Sequence, residues 1–210
     1  MIAAVFATLL TQQPPLRFCT ASPKRSIDLQ WSRAAALTSP DRSWSIELTP
    51  DIKGENNNST LALINCKTMT KTIIARITRK AYANWEPRSK ELLLVTEPSA
   101  GDMILEYFKI GTNRSAVVVS KSDAPNRALT AELVRMMPPG YKLSFRIIRL
   151  ETFDNNQITL LSSGVFDKKN GGASIPYCAR FTISTIGHVE RINKITTSID
   201  NLSDKCDYYP

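Results

Sequence analysis

The chain has 210 residues, 42% hydrophobic and 22% charged, with 27 Lys+Arg against 19 Asp+Glu for a formal net charge of +8. This composition is ordinary for a soluble globular protein, and the length suits one domain, with or without a small appendage, that buries a core unaided. The excess positive charge favours an anionic partner such as nucleic acid, acidic lipid or cell-wall polymer. The bases are nevertheless spread along the chain, with adjacent pairs only in "SPKRS", "TRKA" and "FDKKN". A dedicated nucleic-acid binder shows a basic stripe interleaved with aromatics, so nucleic acid is not the expected partner.

In chain order, "MIAAVFATLL" opens with an apolar run, Ile2 to Leu10, of signal-peptide length and too short to span a bilayer. Cys19-Thr20-Ala21 supplies small residues for cleavage, so residues 1–21 read as a signal peptide. Export to the periplasm or beyond is expected over cytoplasmic retention. No other stretch is long and apolar enough to cross a membrane. Cleavage after Ala21 would leave three of the four cysteines. Cys178 and Cys206 are then the natural disulfide, tying down a polar tail at residues 196–210 and leaving Cys66 over. The alternative is that all thiols are reduced, with Cys66 a small core residue. With no CxxC and no Cys/His cluster, neither metal nor cofactor is expected.

From Trp44 onward, short β-type runs alternate with polar turns: "SWSIEL", "LALINC", "TIIARI", "ELLLVTE", "MILEYFKI" and "SAVVVS". They resume later as "KLSFRIIRLE", "QITLLSSGVF" and "YCARFTISTIGHVERI", the last broken by a tight turn at Ile186-Gly187-His188. Between the two sets, Leu129, Leu133 and Met136 fall at i, i+4 and i+7. Pro125 and Pro138-Pro139-Gly140 flank them, which predicts one helix over 124–137.

Two sets of landmarks share a period. "TSPDRSWSIEL" and "NWEPRSKELLLV" each place a proline turn before an apolar strand, and Pro40 and Pro87 are about 47 residues apart. Hairpin centres at Met69 and Thr112 are about 43 apart, and Gly187 falls in phase once a helical insert is subtracted. Proline fixes φ for such a turn, and Trp44 or Trp85 beside it can cover the junction between strand layers. Ser39, Pro40, Asp41, Trp44, Trp85 and Pro87 are therefore read as repeat-turn residues of about three antiparallel four-stranded units.

At these residues the chain resembles TolB-like and WD40-like β-propeller repeat proteins, whose blades carry a Trp-Ser-Pro-Asp-Gly-Lys type turn before an apolar strand. Ser39, Pro40 and Asp41 match in the first copy, and Trp85, Pro87 and Lys90 in the second. Arg42 and Ser89 replace the glycine, which suggests a slightly different turn. "RLETFDNNQITLLSSG" is similar to the final-unit strand of small exported bacterial proteins with few blades and a helix before the last. The resemblance implies a mainly β, incomplete propeller at 22–195 with one inserted helix. It also implies a protein–protein interaction role and no enzymatic activity.

Three units cannot close a propeller, so free sheet edges are expected. The expected partner is another protein, or a second copy of this chain pairing at such an edge. A basic surface for an anionic polymer is the alternative. A hydrolase would have to use the single histidine, His188, with Glu190 or a distant acid. Asp102, Glu106, Glu151 and Asp154 offer carboxylates that no sequence feature brings together as a pair.

Overall fold

The computed structural model of the protein describes Cys19, residues 25–30, 34–50, 58–113 and 116–196, and Cys206. Apart from Cys19 and Cys206, the expected leader core and most of the polar tail lie outside the described residues.

The protein is mainly β, with one helix among the described residues. After β1 (Ser26–Gln30), a four-stranded antiparallel sheet runs in chain order: β2 (Ala35–Thr38), β3 (Trp44–Pro50), β4 (Ser59–Asn65) and β5 (Lys71–Ile77). A second set follows as β6 (Lys80–Trp85), β7 (Glu91–Ser99), β8 (Asp102–Asn113) and β9 (Ala116–Ser122). Helix α1 (Ala124–Met136) then precedes β10 (Tyr141–Asp154), β11 (Gln157–Lys168), β12 (Ile175–Ser184) and β13 (Val189–Thr196). Each consecutive set of four is an antiparallel meander. The second and third sets share one nine-stranded sheet, with β1 on its β6 edge, and neither sheet closes into a barrel or propeller.

That large sheet hinges at β8. Tyr107 to Asn113 pair with β9, while the start of the strand meets β10 through one parallel pair, Asp102 with Arg146. The backbone between the two branches would be left without a partner, and α1 fills the fork. Asn126 Oδ1 accepts the Leu105 N–H at 3.1 Å. The buried Arg146 donates from Nη1 to Thr130 Oγ1 at 2.9 Å and from Nη2 to Asp102 at 3.1 Å. Leu129 and Leu133 are fully buried below, which accounts for the apolar spacing of the helix.

Two cores separate three strand layers. One packs Trp44, Ile46, Leu48, Leu61 and Leu63 of the small sheet against Leu29, Trp85, Leu92, Leu94 and Phe108. The other packs Leu93, Val95, Leu105 and Tyr107 against Phe153, Ile158, Leu160, Phe181 and the helix. Strand β7 thus sends alternate residues into both cores. A strand buried on both faces reads as a continuous apolar run, and this explains "ELLLV". The middle layer, β6 to β8, carries the site.

Candidate functional site

The two proline turns have the same backbone. The Ser39 N–H donates to the Trp44 carbonyl at 2.8 Å and the Arg42 N–H to the Ser39 carbonyl at 2.9 Å. In the second turn, Glu86 N–H donates to the Glu91 carbonyl at 3.0 Å and Ser89 N–H to the Glu86 carbonyl at 2.9 Å. Arg42 and Ser89 both have φ of 61°. Arg42 and Ser89, which stand where the resembled turn has glycine, thus both adopt left-handed backbone. The left-handed residue is kept, at about 1–2 kcal/mol for each non-glycine side chain. Pro40 and Pro87 hold matching places. Trp44 follows the first turn and Trp85 precedes the second, and both pack into the core between the first and middle layers.

These turns join others in a row across one end of the molecule. Ser89 Oγ accepts the Asp41 N–H at 3.0 Å, linking the first turn to the second. Arg88 Nη2 reaches Asn155 Oδ1 at 3.5 Å in the β10–β11 turn, where Asn155 and Asn156 both have positive φ. Thr185 N–H donates to the Asn156 carbonyl at 2.8 Å, bringing in the β12–β13 turn. That turn lies against the start of α1, where a Cβ on Gly187 would come within 2.7 Å of the Ala124 carbonyl oxygen.

Behind the row is a cleft of about 580 Å³ whose wall includes Glu91, Tyr107, Ser122, Asn156, Thr185 and Ile186. Glu91 is 9% exposed, and its Oε2 has no hydrogen-bond partner. Burial, and then the hydrogen bond and charge of Glu91, push the Tyr107 hydroxyl far above the usual tyrosine range. Glu86, also buried, accepts the Arg88 N–H on Oε2 at 2.9 Å, while the exposed Arg88 guanidinium stays 3.9 Å from its other oxygen. Trp85, fully buried beside it in sequence, has an unpartnered Nε1. The sequence reading missed Glu86, Glu91 and Tyr107. Their signal was an acid at each end of a tight turn, the second heading an otherwise apolar strand.

A second cleft of about 670 Å³ opens where β10 leaves β8. Asp28, Lys80 and Tyr82 face it from β1 and β6, with Met103, Ile147 and Arg149 opposite. Burial, then the charges of Asp28 and Glu97, raise the Tyr82 hydroxyl above its ordinary value.

The other sequence candidates are dispersed. His188 is exposed in the β12–β13 turn, its backbone N–H held by Ser184 Oγ at 2.9 Å, and Glu190 accepts from Gln157 Nε2 at 2.5 Å. Asp102 pairs with Arg146, Glu106 with Lys121, and Glu151 with Arg180 through two bonds of 2.8 and 2.9 Å. Asp154 is exposed at the end of β10. Among the described residues no group of His, Cys, Asp and Glu is arranged to hold a metal, and no helix is long and apolar enough to cross a membrane.

Cys178 is disulfide-bonded to Cys206, with Cα atoms 6.5 Å apart, and the pair is buried against Leu161. Cys66, expected as the left-over thiol, is paired. It is bonded to Cys19 with Cα atoms 5.6 Å apart, so a chain cut after Ala21 would lose half of that bridge.

A scan of protein-family models finds no match to the chain, and searches of curated proteins and of solved structures find none either.

Proposed function

We propose that the protein is a non-catalytic β-repeat protein, an open stack of three propeller-like blades, that acts by recognising another protein. The observation that carries this reading is the row of turns. Each consecutive meander contributes its first turn to one end, and hydrogen bonds run from turn to turn. Turns on a rigid layered scaffold are where binding residues are presented at least structural cost. Ile186, 83% exposed, stands out of this end as an apolar contact. Export agrees with two disulfide bridges, which persist in oxidising compartments.

The test is a photo-crosslinking amino acid at position 186 in the exported full-length protein, with Arg76 on β5 as the control position. A discrete adduct at 186 that is absent at 76 supports recognition at the turn end, and its mass separates a second copy of this chain from another protein. Equal diffuse labelling at both positions overturns it. The net charge of +8 favours one other reading, binding of an anionic polymer. Retention on an anionic resin that collapses steeply with added salt would favour that instead.

A further inference from the structure

The two proline turns share a backbone but not their side chains, and the difference isolates Glu91. In the first turn Ser39 Oγ accepts the Trp44 N–H at 3.1 Å and donates to Asp41 at 2.7 Å, so a neutral residue satisfies the turn. Glu91 stands where the first turn has Trp44. The turn therefore does not require an acid there, and β7 is otherwise apolar from Leu92 to Val95. A carboxylate taken out of water costs several kcal/mol unless a counter-charge meets it. Lys109 lines the same cleft and lies directly across the strand pair from Glu91, yet it is exposed and forms no ion pair with it, so an incoming cation would share the space with it. Glu86, the other buried acid of this turn, adds negative potential near the Tyr107 hydroxyl. The result is a walled space with a nine-tenths-buried carboxylate, one oxygen unpartnered, and an exposed isoleucine at its margin.

We propose that this cleft receives the cationic side chain of a partner protein, a lysine or arginine, with Glu91 as its counter-charge and Ile186 packing against the methylene stem. The assignment rests on the protein-recognition reading above and names the chemistry of what is recognised. Long basic side chains suit such a place because the stem is apolar and only the head needs a charge. A guanidinium or ammonium entering here completes hydrogen bonding that the free protein leaves open.

The test is an NMR titration of the oxidised full-length protein with N-acetyl-lysine methylamide and N-acetyl-arginine methylamide, with the uncharged norleucine analogue as control. A cationic probe is expected to give saturable shifts at the amides of residues 91, 107 and 185, while norleucine gives none. Glu91→Gln should weaken the response by about tenfold or more, and Glu47→Gln, on the small sheet and paired with Lys71, should leave it intact. Ile186→Ala, exposed and harmless to folding, should weaken it by about threefold through lost stem packing, and it decides the matter should Glu91→Gln disturb the fold. Equal responses to lysine and norleucine, an unchanged response in Glu91→Gln, or shifts spread over the other surface acids would overturn the assignment. Adducts at position 186 that keep their yield in Glu91→Gln would remove the cation pocket and leave protein recognition standing. A Glu91-dependent probe response without any protein adduct would do the reverse.

Discussion

Ser89 Oγ accepts the backbone N–H of Asp41 at 3.0 Å, across two turns separated by a whole four-stranded unit. Ser89 is fully buried and has positive φ, whereas Arg42, its counterpart in the first turn, is exposed with the same φ. Substitutions at the two positions should therefore act in opposite directions. Ser89→Ala keeps the strained backbone and loses the acceptor, a destabilisation of about 1 kcal/mol. Arg42→Gly relieves the strain, and after the flexibility of glycine in the unfolded chain is counted it stabilises by about 0.5 kcal/mol. Urea midpoints measured on both variants check this. A fall in both would mean that the turns do not share their backbone.

Gly164 on β11 has no room for a side chain, because a Cβ there would fall on the carbonyl oxygen of Phe145, beside a register shift in the β10–β11 pair. Gly164→Ala must displace backbone and should cost about 3 kcal/mol. Gly111→Ala, where a Cβ meets nothing within 4 Å, should change stability by less than about 0.5 kcal/mol. Denaturant unfolding of the pair gives the comparison.

Acid should remove a contribution from Asp41. Partial burial alone would raise its carboxyl, but the backbone N–H and hydroxyl of Ser43, with the Ser39 hydroxyl, outweigh it and hold the group below the ordinary aspartate value. A depressed folded-state value means stability that is present above the unfolded value, about 3.9, and is lost as pH falls through the folded one. Wild type should exceed Asp41→Asn in stability near neutrality, and the gap should close as pH falls from the unfolded value through the lower folded one. A gap that stays constant through that fall would contradict the hydrogen-bonded turn.

At the alkaline end, Tyr177 is fully buried and stacked on Phe166 with ring centroids 4.6 Å apart. Burial pushes its hydroxyl up to about 12, against the opposing effects of the Ser162 hydrogen bond and the Arg146 charge. The unfolded chain gives up this proton near the ordinary value of about 10. The contribution is thus intact below that pH and is lost as pH rises toward the folded value. Tyr177→Phe should flatten the decline in stability across this window, as read from unfolding midpoints at fixed pH steps.

The bridges can be counted by mass. Peptide mapping without reductant should recover Cys19 linked to Cys66 and Cys178 linked to Cys206. The mature protein should retain residue 19, and a mature N-terminus at residue 22 would contradict the first bridge. Loop-closure entropy for sequence separations of 47 and 28 residues gives upper values of about 4 and about 3.5 kcal/mol lost in Cys19→Ser and Cys206→Ser.

Much of the strand pattern was legible in the sequence, and so was the helix, because both write their burial into residue spacing. Leu129, Leu133 and Met136 repeat with a helical period, and "ELLLV" is apolar throughout because both faces of β7 are covered. What escaped was short or chemically quiet. The β1 run "SIDLQ" and the β2 run "AALT" carry too few large apolar residues to register. In β6, "KAYANW", the inward positions are mostly alanines, 81 and 83, whose burial leaves little mark on hydropathy. The Cys19–Cys66 link was not readable either, since pairing depends on which loops the fold brings together. The Glu91 cleft was hidden for a related reason: Tyr107 comes from the middle of β8 and Asn156 and Thr185 from two different turns, and only the stacking of layers makes them neighbours.

The bridge from β12 to the polar tail has a topological consequence. In an assembly whose sheets never close into a ring, nothing in the meanders themselves limits how many could be piled up, and each outermost layer offers a face to the next. Cys206, with Cys178 and Leu161 beneath it, covers part of that face on the last layer. Reducing the Cys178–Cys206 bridge would release Cys206 from that place and uncover Leu161 on the outer side of β11.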